Sequence, residues 1–560
     1  MTGPSRIFVK PAAMGNARPL CGPIAILARL PPIDRFLPIC LVLFAIILCA
    51  GVRYRLRAMP LERDEGEYAY AGQLLLQGIP PYQLAYTMKL PGTHAAYAVL
   101  LAAFGQTPSG IRLGLMLVNA ATTLMVFYLA AQLFGTLAGA VAAASWALLS
   151  TAPSVLGFAA HATHFVVLAA LAGILVLLRA IETKKRLLFF CSGLLLGVAF
   201  LMKQPGILFL VFAGVYLLKD KSDTKVSWRG IALDMTALAS GGILPFVAIC
   251  LIMVKAGLFN TFWFWTFSYS HQYVSQVSAS EALVMFGVAL YRVIRPAWAI
   301  WTLAALGLAA LLFRCRARAA NSFVSLLLLA SFLAVCPGFY FRPHYFILAL
   351  PAISILIGLA VNCATEKLRA RQRSVILRAV PLLLFLTAFS YTVFVEREFL
   401  FQMDPCAACR SLYFSNTFPE AVDVADFITT HSSPEGRIAV LGSEPQIYFY
   451  SHRRSATGYI YTYGLMEEQR YAATMQREMI AEIESARPEY IVYVDNSRSW
   501  GTRQDSDLLI FAWAKTYLDE NYAPVTVVPN DRSPDCKPQA ISLDHPLPTP
   551  TMHLFKRRAS

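Results

Sequence analysis

The chain has 560 residues, of which 57% are hydrophobic and only 14% charged, whereas soluble domains run near half apolar and a quarter charged. A bilayer must therefore supply most of its solvent. The formal charge of +15 does not point to nucleic acid, because the basic residues fall mostly in short runs between apolar segments, where they orient a membrane protein.

The N-terminal stretch is basic (Arg6, Lys10, Arg18, Arg29) and holds no long apolar core ending in a small-residue cleavage site, so no removable signal peptide is expected. The run 37–52 reads as an uncleaved signal anchor. Apolar runs that cross or nearly cross the hydrocarbon core lie at 36–52, 110–131, 136–152, 161–180, 187–202, 206–218, 231–255, 297–313, 321–336, 343–362 and 379–395, which predicts about eleven spans. Basic clusters fall at Lys184, Lys185 and Arg186, at Lys219, Lys221, Lys225 and Arg229, at Arg314, Arg316 and Arg318, and at Lys367, Arg369, Arg371 and Arg373. The positive-inside rule makes these loops cytoplasmic. With the N-terminus also inside, everything after about residue 396 lies outside. The stretches 95–104 and 282–291 are too short to span and are expected along the outer interface.

After residue 396 the composition becomes that of a soluble domain. "RIAVLG" (437–442) and "EYIVYVD" (489–495) read as buried strands with a helical pattern over 466–486 between them. A helix at 508–522 and strands at 524–528 and 552–558 follow. Strand alternating with helix predicts a small α/β domain. The fold class expected is mainly α, with a cytoplasmic segment (1–35), a polytopic transmembrane domain (36–395) whose first outer loop is 53–109, and a C-terminal α/β extracytoplasmic domain (396–560). The tail holds no phosphate-cradling glycine motif.

Seven cysteines (Cys40, Cys49, Cys191, Cys250, Cys315, Cys336, Cys363) sit in or beside apolar segments and act as small hydrophobes. Cys406, Cys409 and Cys536 are left to report on redox compartment, and a disulfide among them suits an oxidising one.

This topology places the unusual polar residues (Asp64, Glu65, Glu67, Lys89, His94, His161, His164, Lys203, Arg292, Arg295, Arg342, His344) in outer loops or at outer helix ends. A transporter would place such groups near the bilayer midplane. The first outer loop, "LERDEGEYAYAGQLLLQGIPPYQLAYTMKLPGTH" (61–94), carries three carboxylates within four positions (Asp64, Glu65, Glu67), a short helix and then a lysine. Acids at a helix start commonly do no more than complement its dipole. Chemistry offers a second account: a hydroxyl that attacks a sugar C1 must lose its proton to a base, and the departing lipid phosphate needs a cation.

"RDEGEYAYAGQLLLQG" with "KLPGTHAAYA", "GLLLGVAFLMKQPGILFL" (193–210) and "FYFRPHYFILALPAISILIG" (339–358) together resemble the GT-C glycosyltransferases of the protein O-mannosyltransferase and aminoarabinose-transferase type. Those enzymes use polyprenyl-phosphate sugars at the outer face of a membrane, and the likeness covers roughly residues 35–400. The resemblance implies that Asp64 is the catalytic carboxylate with Glu65 its acidic neighbour, and that Lys89 approaches the carrier phosphate. The chain departs from the aminoarabinose transferases at Glu67, where they have arginine, and at Met88, where they have glutamate.

Lys203 lies between two apolar runs shorter than the roughly 20 residues a span needs. It is either a second phosphate contact or a snorkelling lysine. Arg342 and His344 sit beside Pro343 at the head of a span, and an arginine there offers a planar fork of donors for phosphate. With the resemblance, both join the donor-phosphate set, for which Arg292 and Arg295 are weaker candidates. Glu67, Tyr68, His161 and His164 are assigned to the acceptor side or the cavity lining. The two histidines share a helical face, but no third ligand is in sequence reach, so no metal is expected. The aromatic run "FWFWTFSYSHQY" (262–273) suits a sugar-stacking wall and an interfacial belt equally.

The resulting expectation is an inverting, metal-independent and cofactor-free transfer of a sugar from a polyprenyl-phosphate donor to a lipid, glycan or protein acceptor outside the cytoplasmic membrane, with Asp64 as general base. A lipid-linked sugar flippase and an O-antigen-type polymerase or ligase are the rival readings.

Overall fold

The structure, a computed structural model, describes residues 32–223, 227–313, 318–371, 374–529 and 551–558. The basic N-terminal residues, Lys225, Arg314, Cys315, Arg316, Arg373 and Cys536 lie outside the described residues.

Each of the eleven apolar runs contains a helix. Seven helical stretches among the described residues are long and apolar enough to cross a membrane: Phe36–Arg55, Pro108–Phe134, Ala162–Thr183, Trp228–Lys255, Ala279–Phe313, Leu350–Arg371 and Val375–Val395. Thr136–Leu149, Arg186–Met202 and Ala319–Val335 are shorter apolar helices. One run departs from expectation. The segment around 282–291 is no separate interfacial helix, because Ala279–Ile294 continues through a 3-10 turn at Arg295–Ala297 into Trp298–Phe313. Pro296 lies in the first turn of that continuation, where its missing N–H costs little.

Small residues let these helices approach closely. A Cβ on Gly193 would stand 2.0 Å from the Leu238 carbonyl oxygen of Trp228–Lys255, and one on Gly197 would stand 2.3 Å from that of Gly242. Glycines four apart on one face are the spacing that permits backbone contact between membrane helices.

The first outer loop folds into two helices, Arg63–Leu76 and Gly92–Phe104. The C-terminal segment forms a five-stranded sheet of order β2-β1-β3-β5-β4 from β1 (Arg437–Leu441), β2 (Arg454–Ser455), β3 (Tyr490–Asp495), β4 (Tyr522–Pro529) and β5 (Thr551–Arg557). β2, β1 and β3 run parallel, and β5 is antiparallel to both β3 and β4. Helices Glu420–His431, Gln446–Ser451 and Ala472–Ala486 accompany the sheet.

This segment shares its core with the first loop. Tyr68, Ala69, Tyr70 and Leu74 of the loop helix pack in one buried cluster with Val440, Ile447, Tyr448 and Ile460. Gly66 makes the contact possible: a Cβ there would lie 2.6 Å from the Gln446 backbone nitrogen. Cys406 is disulfide-bonded while Cys409 is a buried free thiol, so the C-x-x-C is not closed on itself.

Candidate active site

Helix Arg63–Leu76 opens the site. Glu62 caps it, its carboxylate accepting the Glu65 backbone N–H at 2.9 Å. Asp64 and Glu67, three residues apart, share a helical face, and both turn toward Lys89 at the end of the loop. Lys89 Nζ donates to Asp64 Oδ1 at 2.9 Å and to Glu67 Oε2 at 2.6 Å. Thr87 donates to the other Glu67 oxygen. Tyr68 lies beneath, its ring centroid 4.6 Å from the Lys89 ammonium.

Glu65 does not join this group. Successive helical residues point about 100° apart, and Glu65 is buried against Arg112, whose Nε and Nη2 donate to its two oxygens at 3.0 and 2.5 Å. It also accepts the Ala160 N–H at 2.6 Å. The expectation of a catalytic Glu65 is corrected: it clamps the loop helix to Pro108–Phe134 and to the segment before Ala162–Thr183. His164 is buried inside Ala162–Thr183 and is not part of the cavity wall, and Tyr68 supports Lys89 from below instead of lining the space.

Asp64, Glu67, Lys89, His161, Lys203, Arg342 and His344 all line one cavity of about 360 Å³, although they come from four separate parts of the chain. Lys203 follows the helix Arg186–Met202, and Gln204 Nε2 beside it donates to the Met88 carbonyl at 2.7 Å, which ties the lysine to the first loop. Its ammonium stands 3.8 Å from the Tyr345 ring centroid. Arg342 emerges from a loop in which Phe339 and Phe341 hold left-handed φ values of 56° and 43°. Bulky residues rarely adopt that conformation, and such strain concentrates at functional sites. Arg292 and Arg295 lie outside this cavity.

His161 and His344 stack face to face with ring centroids 3.9 Å apart and planes 16° from parallel. His161 is 2% exposed, and neither of its ring nitrogens has a hydrogen-bond partner. Glu62 Oε1 is the nearest carboxylate oxygen to it, 3.7 Å from Nδ1. Asp64, His161 and His344 each present one potential ligand atom within 4.8 Å of the others.

The electrostatics follow from burial and proximity. Burial opposes ionisation of Asp64, but the Lys89 ammonium, with His161 and Lys203 beyond it, holds the carboxyl well below the usual carboxylate range. Burial, then the neighbouring Asp64 and Glu65 charges, push Glu62 well above that range. Burial also raises Glu67, against the pull of Lys89. Burial lowers His161 to about 3, so the imidazole is neutral. Lys203 is lowered to about 7, chiefly by burial, with Asp64 raising it and Lys89 lowering it further.

Several lining residues escape sequence reasoning. Glu62 reads only as a cap, and Tyr345 as an interfacial anchor. Tyr461, Tyr463 and Glu467 arrive from the C-terminal segment; the alternation in "YIYTYG" hints at a common face for the two tyrosines, and no sequence signal marks Glu467. The aromatic run does contribute: Trp265, Tyr269 and Tyr273 line the cavity, and Tyr269 donates to Glu467 Oε2 at 2.8 Å. Part of that run is a π-helical turn, Phe264–Tyr269, a feature common at functional sites.

Residues 89–249 match the family model described as dolichyl-phosphate-mannose-protein mannosyltransferase. The structure superposes on ArnT from Cupriavidus metallidurans bound to undecaprenyl phosphate with a TM-score of 0.55 at 16% identity, over 92% of this chain and 97% of that one. The chain has the fold of the GT-C membrane glycosyltransferases. The apo form of the same ArnT gives a TM-score of 0.58 at 15% identity with the same coverage. The GT-C fold also relates the chain to the archaeal oligosaccharyltransferase AglB from Archaeoglobus fulgidus, in complex with an inhibitory peptide and a dolichol-phosphate, with a TM-score of 0.53 at 13% identity over 94% of this chain and 77% of that one. No curated protein sequence matches the chain significantly.

Proposed function

We propose that the protein transfers a sugar from a polyprenyl-phosphate donor to an acceptor hydroxyl at the outer face of the cytoplasmic membrane, with inversion at C1. The observation that carries this reading is the convergence of a carboxylate (Asp64) with three cations (Lys89, Lys203, Arg342) in one cavity walled by aromatic rings. The undecaprenyl phosphate of ArnT and the dolichol-phosphate of AglB, both relatives in fold, fit a lipid phosphate in that place.

In the reaction the acceptor oxygen bonds to C1 as the C1–O bond to the phosphate breaks. The bonding pair leaves with the polyprenyl phosphate, and the hydroxyl proton passes to Asp64. In the resting protein Asp64 is a poor base because Lys89 stabilises its ionised form. A donor phosphate offers Lys89 a second anion, and as the ammonium shifts toward it the carboxyl pKa rises. Donor binding thereby prepares the base. Lys203 and Arg342 complete the charge complement of the leaving phosphate, and Trp265, Tyr269 and Tyr273 offer faces on which a sugar ring can stack.

The test is a panel of polyprenyl-phosphate hexoses and pentoses incubated with the purified protein, with release of polyprenyl phosphate as readout. At least one donor is expected to turn over in the wild type, and Lys89→Met is expected to lower kcat by about 100-fold or more, the scale of losing one preorganised charge contact. Turnover undiminished in Lys89→Met contradicts the assignment.

A further inference from the structure

We propose that Glu467 selects the donor sugar by accepting hydrogen bonds from its hydroxyls, and that the sugar it selects is neutral. The inference rests on the transferase reading and adds to it a class of sugar. Glu467 lines the same cavity as Asp64 and Lys89 and is 5% exposed. It follows the short helix Tyr463–Met466, and its N–H donates to the Tyr463 carbonyl at 3.0 Å. Gly464 lets that helix press against the aromatic wall, since a Cβ there would stand 2.6 Å from the Tyr269 hydroxyl oxygen. The same hydroxyl donates to Glu467 Oε2 at 2.8 Å. One carboxylate oxygen is thereby fixed in place, and a carboxylate has about four lone-pair sites, so capacity remains for a ligand.

The surroundings suit a sugar ring. Trp265 stacks on Tyr86 with centroids 5.4 Å apart, and Tyr273 stacks on Tyr340 at 4.6 Å. These pairs hold the wall on which the C–H face of a sugar can rest while its rim hydroxyls reach the carboxylate. A few placed polar groups beside apolar faces are what give such pockets orientation and specificity. Charge argues for a neutral sugar. Burial pushes the Glu467 carboxyl up, and the Tyr269 hydroxyl and the charges of Arg503 and Arg342 pull it back. With two guanidinium groups already acting on this carboxylate, the ammonium of an amino sugar gains little, whereas hydroxyls donate to an ionised acceptor without adding charge. Arg342 also belongs to the phosphate-binding set, which puts Glu467 beside the ring that the phosphate carries and identifies that ring as the donor's.

The experiment measures binding, not transfer, to the full chain in detergent. The probes are decaprenyl phosphate alone and decaprenyl phosphate carrying mannose, glucose, galactose, arabinose or aminoarabinose. At least one neutral sugar-lipid is expected to bind about tenfold or more tighter than the bare lipid, the scale of hydrogen bonds to a charged acceptor. Glu467→Gln should reduce that gain and Glu467→Ala should remove most of it, with bare-lipid affinity retained as the sign of a folded protein. Glu468→Gln, at the exposed neighbouring position, should keep the gain in full. A monodeoxy series of the preferred sugar needs no variant: one member should bind wild type as weakly as the bare lipid does. A gain equal in wild type and Glu467→Ala, a monodeoxy series without a weak member, or no sugar that improves on the bare lipid overturns the proposal, and aminoarabinose as the tightest ligand overturns the neutral class. If even decaprenyl phosphate fails to bind, the transferase reading falls with it; if the lipid binds and its sugar gain ignores Glu467, only this inference falls.

Discussion

At the scale of single residues, the acidic cluster at the head of helix Arg63–Leu76 divides into two roles that sequence spacing alone already separates. Asp64 and Glu67 are three apart and meet the same lysine, while Glu65 points to Arg112. The resemblance to known glycosyltransferases put Asp64 and Glu65 together, and helical geometry takes them apart. Arg112→Met would leave the Glu65 carboxylate buried without its partner, which costs about 3–5 kcal/mol; thermal unfolding should show a clear fall in Tm, and Glu65→Gln made on top of it should recover part of the loss. Lys203 gives a pH prediction. Its pKa is lowered to about 7, so it is charged below that pH and neutral above it, and a donor phosphate binds the charged form. Donor affinity should therefore weaken as pH rises through 7, by up to about tenfold per unit, and Lys203→Arg, whose guanidinium stays charged, should flatten the profile. A profile equally steep in the variant would remove Lys203 from the phosphate site.

At the scale of elements, the helices and strands were legible because their signals are local. Apolar runs, the short buried-strand run "EYIVYVD" and the helical pattern before it correspond to a helix or strand in the structure, within a few residues. The aromatic run 262–273 was readable as a wall or as a belt, and only the fold shows that the turn Phe264–Tyr269 delivers two of its rings, Trp265 and Tyr269, to the cavity, joined by Tyr273 from the helix that follows. The short strand Arg454–Ser455 and the helix Gln446–Ser451 had no periodicity long enough to read. Yet that helix seats the loop: Gly66 touches Gln446 so closely that an added methyl group must displace backbone. Gly66→Ala gains helix propensity worth about 1 kcal/mol but introduces overpacking that costs about 1–3 kcal/mol. The net expectation is a lower Tm together with reduced transfer, and a variant more stable than wild type would show that the contact is loose.

At the scale of the whole molecule, the C-terminal segment acts as a wall of the cavity as well as a sheet of its own. It supplies Tyr461, Tyr463 and Glu467 to the space, and Glu444 to an ion pair with Arg63 at 3.0 Å. Sequence could not show this, because contacts between residues nearly 400 positions apart leave no periodic trace. The convergence of Asp64, Lys89, Lys203 and Arg342 was expected from the topology, which puts all of them near one face, but their distances were not. That topology predicts labelling of cysteines placed at positions 89 and 203 by a membrane-impermeant thiol reagent from the outer side only; reaction solely from the cytoplasmic side would invert the orientation. The central claim is that the Asp64 carboxylate takes the acceptor proton as the donor phosphate leaves. It is tested most directly by single-turnover transfer from a polyprenyl-phosphate sugar in wild type and Asp64→Asn, with donor binding measured alongside. The account predicts that the variant still binds donor and loses about 100-fold to 10,000-fold in the transfer rate, and an undiminished rate would contradict it.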